Sequence, residues 1–164
     1  MAANKLQFVP ILLPEMKPAL ESVVKDLQEK DTIEVELSLS EGETTFDCIY
    51  KVLTQCVEKH FVCCYGDIIG IVAYKIVQEQ GYDFALLCIL TTNKVKKHPK
   101  MYYKAAQQFI GALAPEYDGL VCEILEGYEP SLKMAAKLGF KHVATREVKG
   151  YNLLAHVLRI VRNK

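Results

Sequence analysis

The chain has 164 residues, 51% apolar and 24% charged, and its 20 lysines and arginines balance its 20 aspartates and glutamates. This length and composition predict one folded globular domain, 1–164, and exclude a disordered chain, which would hold fewer large apolar residues. Zero net charge excludes nucleic-acid binding by bulk charge, and we expect no transmembrane helix because no apolar run is long enough.

The first 60 residues predict one strand, two helices and an extended segment between them. Leu6–Leu12 is a short apolar run, typical of a strand. Pro14 opens a helix that ends near Lys30, because apolar residues recur there with helical spacing. In Ile33–Leu39 apolar and polar residues alternate, which predicts a half-exposed extended segment. Thr44 begins the next helix, which Lys59 and His60 close.

The rest of the chain alternates strands and helices after an initial hairpin. Two apolar runs flank Gly66-Asp67, which is a hairpin signal, and Gly139 ends the last helix as glycine commonly does. The predicted elements are the hairpin 61–77, a buried strand 84–90, a helix 97–113, a strand 120–125, a helix 132–138 and strands 140–148 and 151–161. The order β-α-extended-α-β-β-β-α-β-α-β-β indicates a mixed α/β domain.

Two stretches carry a resemblance to a known family. One is Tyr128-Glu-Pro-Ser-Leu-Lys-Met-Ala135-Ala-Lys-Leu-Gly-Phe140, and the other is the strand, His98-Pro99 and helix within Leu87–Leu113. Together they resemble the GNAT acetyltransferases, and His-Pro with Leu-Gly-Phe is similar to GNAT-like proteins encoded by phages, including internal virion proteins. The resemblance implies a mixed central sheet of six to seven strands flanked by about four helices. It also implies a cleft between two diverging strands within residues 84–140.

The resemblance implies acetyl-CoA or CoA as the cofactor. Helix N-termini and nearby backbone N–H groups bind pyrophosphate in such folds. The loop here contains no glycine, and its lysines would supply positive charge instead; a solvated basic loop is the alternative. The expected cofactor-binding residues are Leu90, Thr91, Thr92, Asn93, Lys94, Lys96, Lys97, Lys100 and Ser131.

The resemblance also assigns catalytic candidates. Many GNAT enzymes carry a tyrosine at the position that is Ala135 here, and alanine cannot donate a proton, so Tyr128 is the remaining candidate acid. The candidate bases are Glu123 and Asp83, carboxylates whose pKa values a cleft can raise, and His98, whose pKa lies near the working range. Each has an ordinary alternative: a packed aromatic for Tyr128, exposed acids for Glu123 and Asp83, and a surface histidine for His98.

Two functions follow from this pattern. One is an acetyl-CoA-dependent N-acyltransferase acting on an amine of a small molecule or a protein. The other is an inactive GNAT-like module, favoured by Ala135 and the glycine-free loop, that serves as a phage structural component or binds a host protein. Charge is uneven along the chain: residues 29–47 hold seven acids and one lysine, and 94–104 hold five lysines and no acid. Such segments would meet partners of opposite charge or a second copy in a homo-oligomer.

The cysteines and the N-terminus bear on location. The six cysteines lack the paired spacing of zinc ligands, which predicts reduced thiols and no metal site. The apolar run Phe8–Leu13 is interrupted by prolines and is followed by no small-residue cleavage site, so we expect no signal peptide. The chain is therefore predicted to be cytoplasmic, in the host cytoplasm or the virion if a phage encodes it.

Overall fold

The computed structural model describes residues 6–159. Within them, one seven-stranded mixed sheet has the order β1-β2-β3-β4-β5-β7-β6. The strands are β1 Gln7–Pro10, β2 Glu58–Cys64, β3 Asp67–Glu79, β4 Tyr82–Thr91, β5 Gly119–Leu125, β6 Lys141–Val148 and β7 Tyr151–Arg159. The helices are α1 Lys17–Lys25, α2 Glu29–Glu36, α3 Thr45–Gln55, α4 Pro99–Leu113 and α5 Glu129–Lys137, with a 3₁₀ helix at Asn93–Lys97. The predicted mixed α/β class is confirmed; the expected strand residues Ile160 and Val161 lie outside the described residues.

The extended segment predicted at Ile33–Leu39 is wrong, because this region is helical as α2. Glu29 and Asp31 stand in the first turn of α2, where acidic side chains favour a helix through its dipole. The alternation of glutamates with apolar residues is only a few residues long, and packing on both sides of the sheet decides its conformation instead. The described residues accordingly contain five α-helices where about four were expected.

Two predicted helix boundaries are also wrong. The first helix begins at Lys17, with Pro18 rather than Pro14 in its first turn, and it ends at Lys25. The next helix ends at Gln55, because the Val57 N–H bonds to the Tyr74 carbonyl and the chain enters the sheet there. The hairpin of β2 and β3 is confirmed, with its turn at Tyr65 and Gly66.

Apolar side chains cover both faces of the sheet. On one face α1 and α3 pack against it in a cluster that includes Leu20, Leu53 and Ile71. On the other face α4 and α5 pack in a cluster that includes Phe109 and Leu120. Helix α2 contributes to both clusters, so it lies where the two faces of the sheet meet.

The sequence Leu138-Gly139-Phe140 ends α5 and turns the chain toward β6. Gly139 has φ +94°, its N–H bonds to the Ala136 carbonyl, and the Phe140 N–H bonds to the Ala135 carbonyl. This pair of bonds is a Schellman ending, which requires a left-handed residue at the glycine position. Phe140 then enters the core, so the predicted end of the helix at Gly139 is confirmed.

Strands β4 and β5 pair only at one end. Their parallel pairing covers Phe84 with Gly119, Ala85 with Leu120 and Leu86 with Val121, and it stops there although both strands continue. The predicted pair of diverging strands is therefore present. Among residues 6–159, none of the helices has both the length and the apolar content needed to cross a bilayer.

Candidate functional site

The divergence of β4 and β5 leaves a strand edge free to bind an extended chain. The Asp83 carbonyl accepts the Asp118 N–H and the Thr91 carbonyl accepts the Gln28 N–H, so the odd-numbered residues of β4 direct their backbone groups away from β3. Because the ladder with β5 ends at the pair Leu86–Val121, Ile89, further along β4, has no paired strand on this edge within residues 6–159. Backbone N–H and C=O groups at such an edge can pair with an amide-containing ligand.

A first cavity opens at this gap on the face that carries α4 and α5. Its volume is about 70 Å³, and its walls are mostly apolar, with Leu87 and Ile89 from β4 and Cys122 and Ile124 from β5. The helical walls come from α2, α4 and α5. These wall residues are Asp31, Glu34, Tyr102, Ala106, Ile110, Ser131, Met134, Ala135 and Leu138.

A second and larger cavity lies on the opposite face of the sheet, beneath α2 and α3. Its volume is about 250 Å³. Four residues line both cavities, namely Glu34, Leu87, Ile89 and Glu123. The two cavities therefore meet at the gap between the strands, and two carboxyl groups stand at the junction.

Glu34 is the more deeply placed of the two carboxyl groups at the junction. Its Oε1 atom accepts a 2.8 Å hydrogen bond from the Leu125 N–H, a backbone group in the part of β5 that does not pair with β4. Burial raises the pKa of Glu34 to about 8, the Leu125 hydrogen bond lowers it, and the nearby charges of Asp31 and Glu123 raise it. A carboxyl with a pKa in this range exchanges protons near neutral pH, as a general base must.

Asp31, one turn before Glu34, anchors α2 to the end of β4. Its Oδ2 atom accepts hydrogen bonds from the Thr91 N–H at 3.2 Å, the Tyr128 hydroxyl at 2.8 Å and the Thr91 hydroxyl. Asp31 is only 3% exposed, and this burial raises its pKa to about 6 although the three donors lower it. This fully bonded cluster fixes α2 and so fixes the position of Glu34.

The segment between β4 and α4 is compact and basic. The side chains of Thr92 and Asn93 donate hydrogen bonds to the Ile68 and Asp26 carbonyls. The four lysines that follow, Lys94, Lys96, Lys97 and Lys100, are all exposed. The N–H groups of the first turn of α4 have no acceptor within the helix, so positive charge and free donors coincide at this end of the gap.

The catalytic candidates from the sequence occupy four different environments. Glu123 lines both cavities. It forms a bidentate ion pair with Arg146, whose Nη2 and Nε atoms donate to the two carboxylate oxygens at 2.9 and 3.1 Å. Tyr128 is buried, and its hydroxyl bonds to Asp31. His98 bonds through Nε2 to Asp67 of the hairpin at 3.0 Å and stacks on Tyr65.

Asp83 stands at the opposite, paired end of β4, next to Asp118. The structure thus brings Glu123 alone of the four candidates to the junction of the cavities. Their catalytic roles stay predictions.

The cofactor-binding candidates also divide. Ser131 lines the first cavity and Leu90 lines the second. Thr91 is buried in the Asp31 cluster, and the side chains of Thr92 and Asn93 are bonded internally. Asn93 and the lysines of the segment are exposed to solvent.

Asp31 and Glu34 are the site residues that sequence reasoning missed. Both lie in the acidic segment 29–47, which suggests a solvated surface when it is considered as charge alone. Their spacing of three residues was the available signal, because in a helix it places both carboxyl groups on one face. Assigning this segment as extended removed that signal, since a strand spacing of three puts side chains on opposite faces.

Comparison with known proteins identifies the fold. No family model matches the chain, and no curated protein is significantly similar to it in sequence. Among solved structures it is similar to the RimL ribosomal L7/L12 α-N-protein acetyltransferase in complex with coenzyme A, with a TM-score of 0.70 and 12% identity over 98% of this chain and 97% of that one.

Two further structures agree. The NatC complex bound to Gag peptide and CoA gives a TM-score of 0.69 and 14% identity, covering 96% of this chain and 99% of that one. The ribosomal-protein-S18-alanine N-acetyltransferase of Escherichia coli gives a TM-score of 0.68 and 9% identity, covering 97% of this chain and 96% of that one. At these identities the likeness shows the fold, and the chain has the GNAT fold.

Proposed function

We propose that this protein is an acetyl-CoA-dependent N-acetyltransferase that uses Glu34 as its general base. The observation that carries the proposal is the gap between β4 and β5, where two cavities on opposite faces of the sheet meet at Glu34. Such an arrangement lets a donor and an acceptor enter from opposite faces and react at one point. Solved structures with this fold include acetyltransferases bound to CoA, which supports the same donor here.

The residues at the gap fit CoA. Leu87 and Ile89 would pair with the amides of its pantetheine arm, and the apolar walls of the first cavity would surround that arm. Lys94, Lys97 and Lys100, with the N-terminus of α4, would bind its phosphates by charge in place of a glycine-rich cradle. When bound, acetyl-CoA supplies an acetyl group activated as a thioester.

Glu34 would remove the proton that keeps an amine from reacting. An ammonium group that reaches Glu34 from the second cavity transfers one proton to its carboxylate and becomes a nucleophile. The amine nitrogen then bonds to the acetyl carbon as the carbon–sulfur bond breaks, and the second nitrogen-bound proton ends on the sulfur. The Leu125 N–H holds the Glu34 carboxylate in place, so little reorganisation is needed.

Neither Ala135 nor Tyr128 supplies a proton to the departing sulfur. Ala135 lines the first cavity, and the Tyr128 hydroxyl already donates to Asp31. We infer that the departing sulfur takes its proton through solvent. This lowers the expected rate without removing the activity, because positioning and the base still contribute.

Blocking the first cavity tests the proposal. Ser131→Phe puts a ring into the cavity from α5, whereas Lys133→Phe puts the same ring on the exposed surface of the same helix. We expect calorimetric titration to show CoA binding by the native protein and by Lys133→Phe, and at least about tenfold weaker binding by Ser131→Phe. Failure of the native protein to bind CoA at millimolar concentration would refute the proposed function.

A second candidate keeps the fold without the reaction. Ala135 and the absence of glycine between β4 and α4 favour a GNAT-fold module that is inactive and acts as a phage structural component or binds a host protein. CoA binding without release of free thiol in the presence of any amine would favour this candidate. Particle composition, measured on virions if a phage encodes the chain, tests the phage assignment separately.

A further inference from the structure

The second cavity has a chemical character that restricts its ligand. Its walls are aliphatic side chains and three thiols, Cys48, Cys56 and Cys88. Burial raises the pKa of each of these thiols, so they are neutral at physiological pH and behave as small apolar groups. Thioether and thiol sulfur atoms also make favourable contacts with aromatic rings. The body of the cavity therefore suits an apolar group.

Opposite charges mark the two ends of this cavity. The Glu34 carboxyl group accepts the Leu125 N–H, so it lies at the level of Leu125 in β5. Lys75 of β3 pairs with Leu86 of β4, which pairs in turn with Val121 of β5. Four residues of strand separate these levels, or about 13 Å at 3.3 Å per residue. Lys75 and Cys56 both line this cavity, and the charge of Lys75 lowers the pKa of the Cys56 thiol, which burial raises. A ligand thus meets the carboxyl groups of Glu34 and Glu123 at the gap and an ammonium group at the far end.

The size of the cavity sets an upper bound on the apolar group. Its volume of about 250 Å³ exceeds the roughly 150 Å³ of a cavity known to hold benzene. A phenyl ring or a branched aliphatic group with a short linker fits within this volume. A second positive charge on such a ligand would face Lys75 and be repelled.

We propose that the second cavity binds the acceptor, and that the acceptor is a primary monoamine whose nitrogen is joined by a short chain to an apolar group. This inference rests on the proposed acetyl transfer. The amine lies at Glu34, the apolar group lies against Cys88, Ile49 and Val52, and Lys75 rejects diamines. A free arylalkylamine and a peptide N-terminus with an apolar first side chain share this chemistry.

Binding measured without CoA tests the inference independently of the reaction. Phenethylamine, ethanolamine and 1,5-diaminopentane are titrated separately in a calorimeter. We expect phenethylamine to bind at least about tenfold more tightly than either of the other two amines. Val52→Phe, which fills the cavity, should abolish the binding of phenethylamine, whereas Gln55→Phe on the exposed face of the same helix should not. Equal affinity for phenethylamine and ethanolamine, or no binding of phenethylamine, would overturn the inference.

Charge reversal sharpens the test. Lys75→Glu should raise the affinity for 1,5-diaminopentane about tenfold relative to the affinity for phenethylamine. Lys141→Glu, an equal change of charge on the exposed strand β6, should leave this ratio of affinities unchanged. An unchanged ratio in Lys75→Glu would contradict the role of Lys75.

Transfer assays with peptides that begin with Phe or Ser then distinguish a free amine from a protein N-terminus as the acceptor, since a preference for the Phe peptide over phenethylamine identifies a protein N-terminus. Amine binding without CoA binding would remove the proposed function and leave the amine site standing.

Discussion

Two segments of this chain are each rich in charges of one sign, but the fold places them in different environments. The basic segment 94–104 keeps its lysines on the surface. The acidic segment 29–47 instead begins with α2, Glu29–Glu36, which directs Asp31 and Glu34 into the gap between β4 and β5. Water screens the charges of the lysines, whereas desolvation raises the pKa values of Asp31 and Glu34 to about 6 and about 8. Burial, and not charge density, therefore separates a reactive group from a solvated one.

The largest expected effect is the loss of activity when Glu34 cannot ionise. Glu34→Gln keeps an oxygen that can accept the Leu125 N–H but removes the base, so acetyl transfer should fall by about 10²–10⁴-fold. In the native protein the rate should rise with pH and level off above about 8, because Glu34 accepts a proton only when ionised. Steady-state rates between pH 6 and 9 provide the measurement. A full rate in Glu34→Gln would show that another group is the base.

The thermal stability of Glu34→Gln at two pH values shows whether this variant folds correctly. The pKa of Glu34 rises from an ordinary value of 4.5 to about 8 on folding, so its protonated form stabilises the fold and that contribution is lost as pH rises through about 8. Glu34→Gln should therefore match the native protein in thermal stability at pH 4. At pH 9 it should be more stable, by on the order of 1–3 kcal/mol. Lower stability at both pH values would attribute the activity loss to misfolding.

A smaller effect is expected when the buried Asp31, which anchors α2, loses a hydrogen-bond donor. Tyr128→Phe removes one of the donors to the buried Asp31 carboxylate, which should cost about 1–2 kcal/mol of stability, or about 2–8 °C in melting temperature. Tyr151→Phe is the matched control, because Tyr151 is 45% exposed. Equal melting temperatures for the two variants would contradict an anchoring role for the Asp31 cluster.

The smallest effect is expected on the basic segment. Lys97→Ala with Lys100→Ala should weaken CoA binding about three- to tenfold, because each exposed charge contributes little and salt screens it. The double variant Lys133→Ala with Lys141→Ala removes two exposed lysines outside this segment and should bind CoA as the native protein does. Titrations at low and high salt measure both. An unchanged affinity in the first variant would remove these lysines from the cofactor site.

Without ligand, the Lys97→Ala and Lys100→Ala variant should be slightly more stable than the native protein. Both lysines stand at the N-terminus of α4, where positive charge opposes the helix dipole by a few tenths of a kcal/mol each. Reduced stability would show that the lysines have a structural role.

The sequence by itself determined the parts of the fold that local physics controls. Helical spacing, the hairpin turn and the left-handed Gly139 identified most strands and helices in their correct order, because these signals lie within a few residues of one another. The Leu-Gly-Phe ending also pointed to the GNAT fold. The divergence of β4 from β5 followed from that resemblance and from no local signal.

Only the tertiary structure decided which carboxyl groups could do chemistry. Asp31 and Glu34 meet Thr91, Leu125 and Tyr128 across sequence separations of 60 to 97 residues, and no short window of sequence contains those partners. The same contacts made 29–36 a helix against its alternating pattern. Desolvation depends on what surrounds a group in space, so the identity of the candidate base could be read only after the chain had folded.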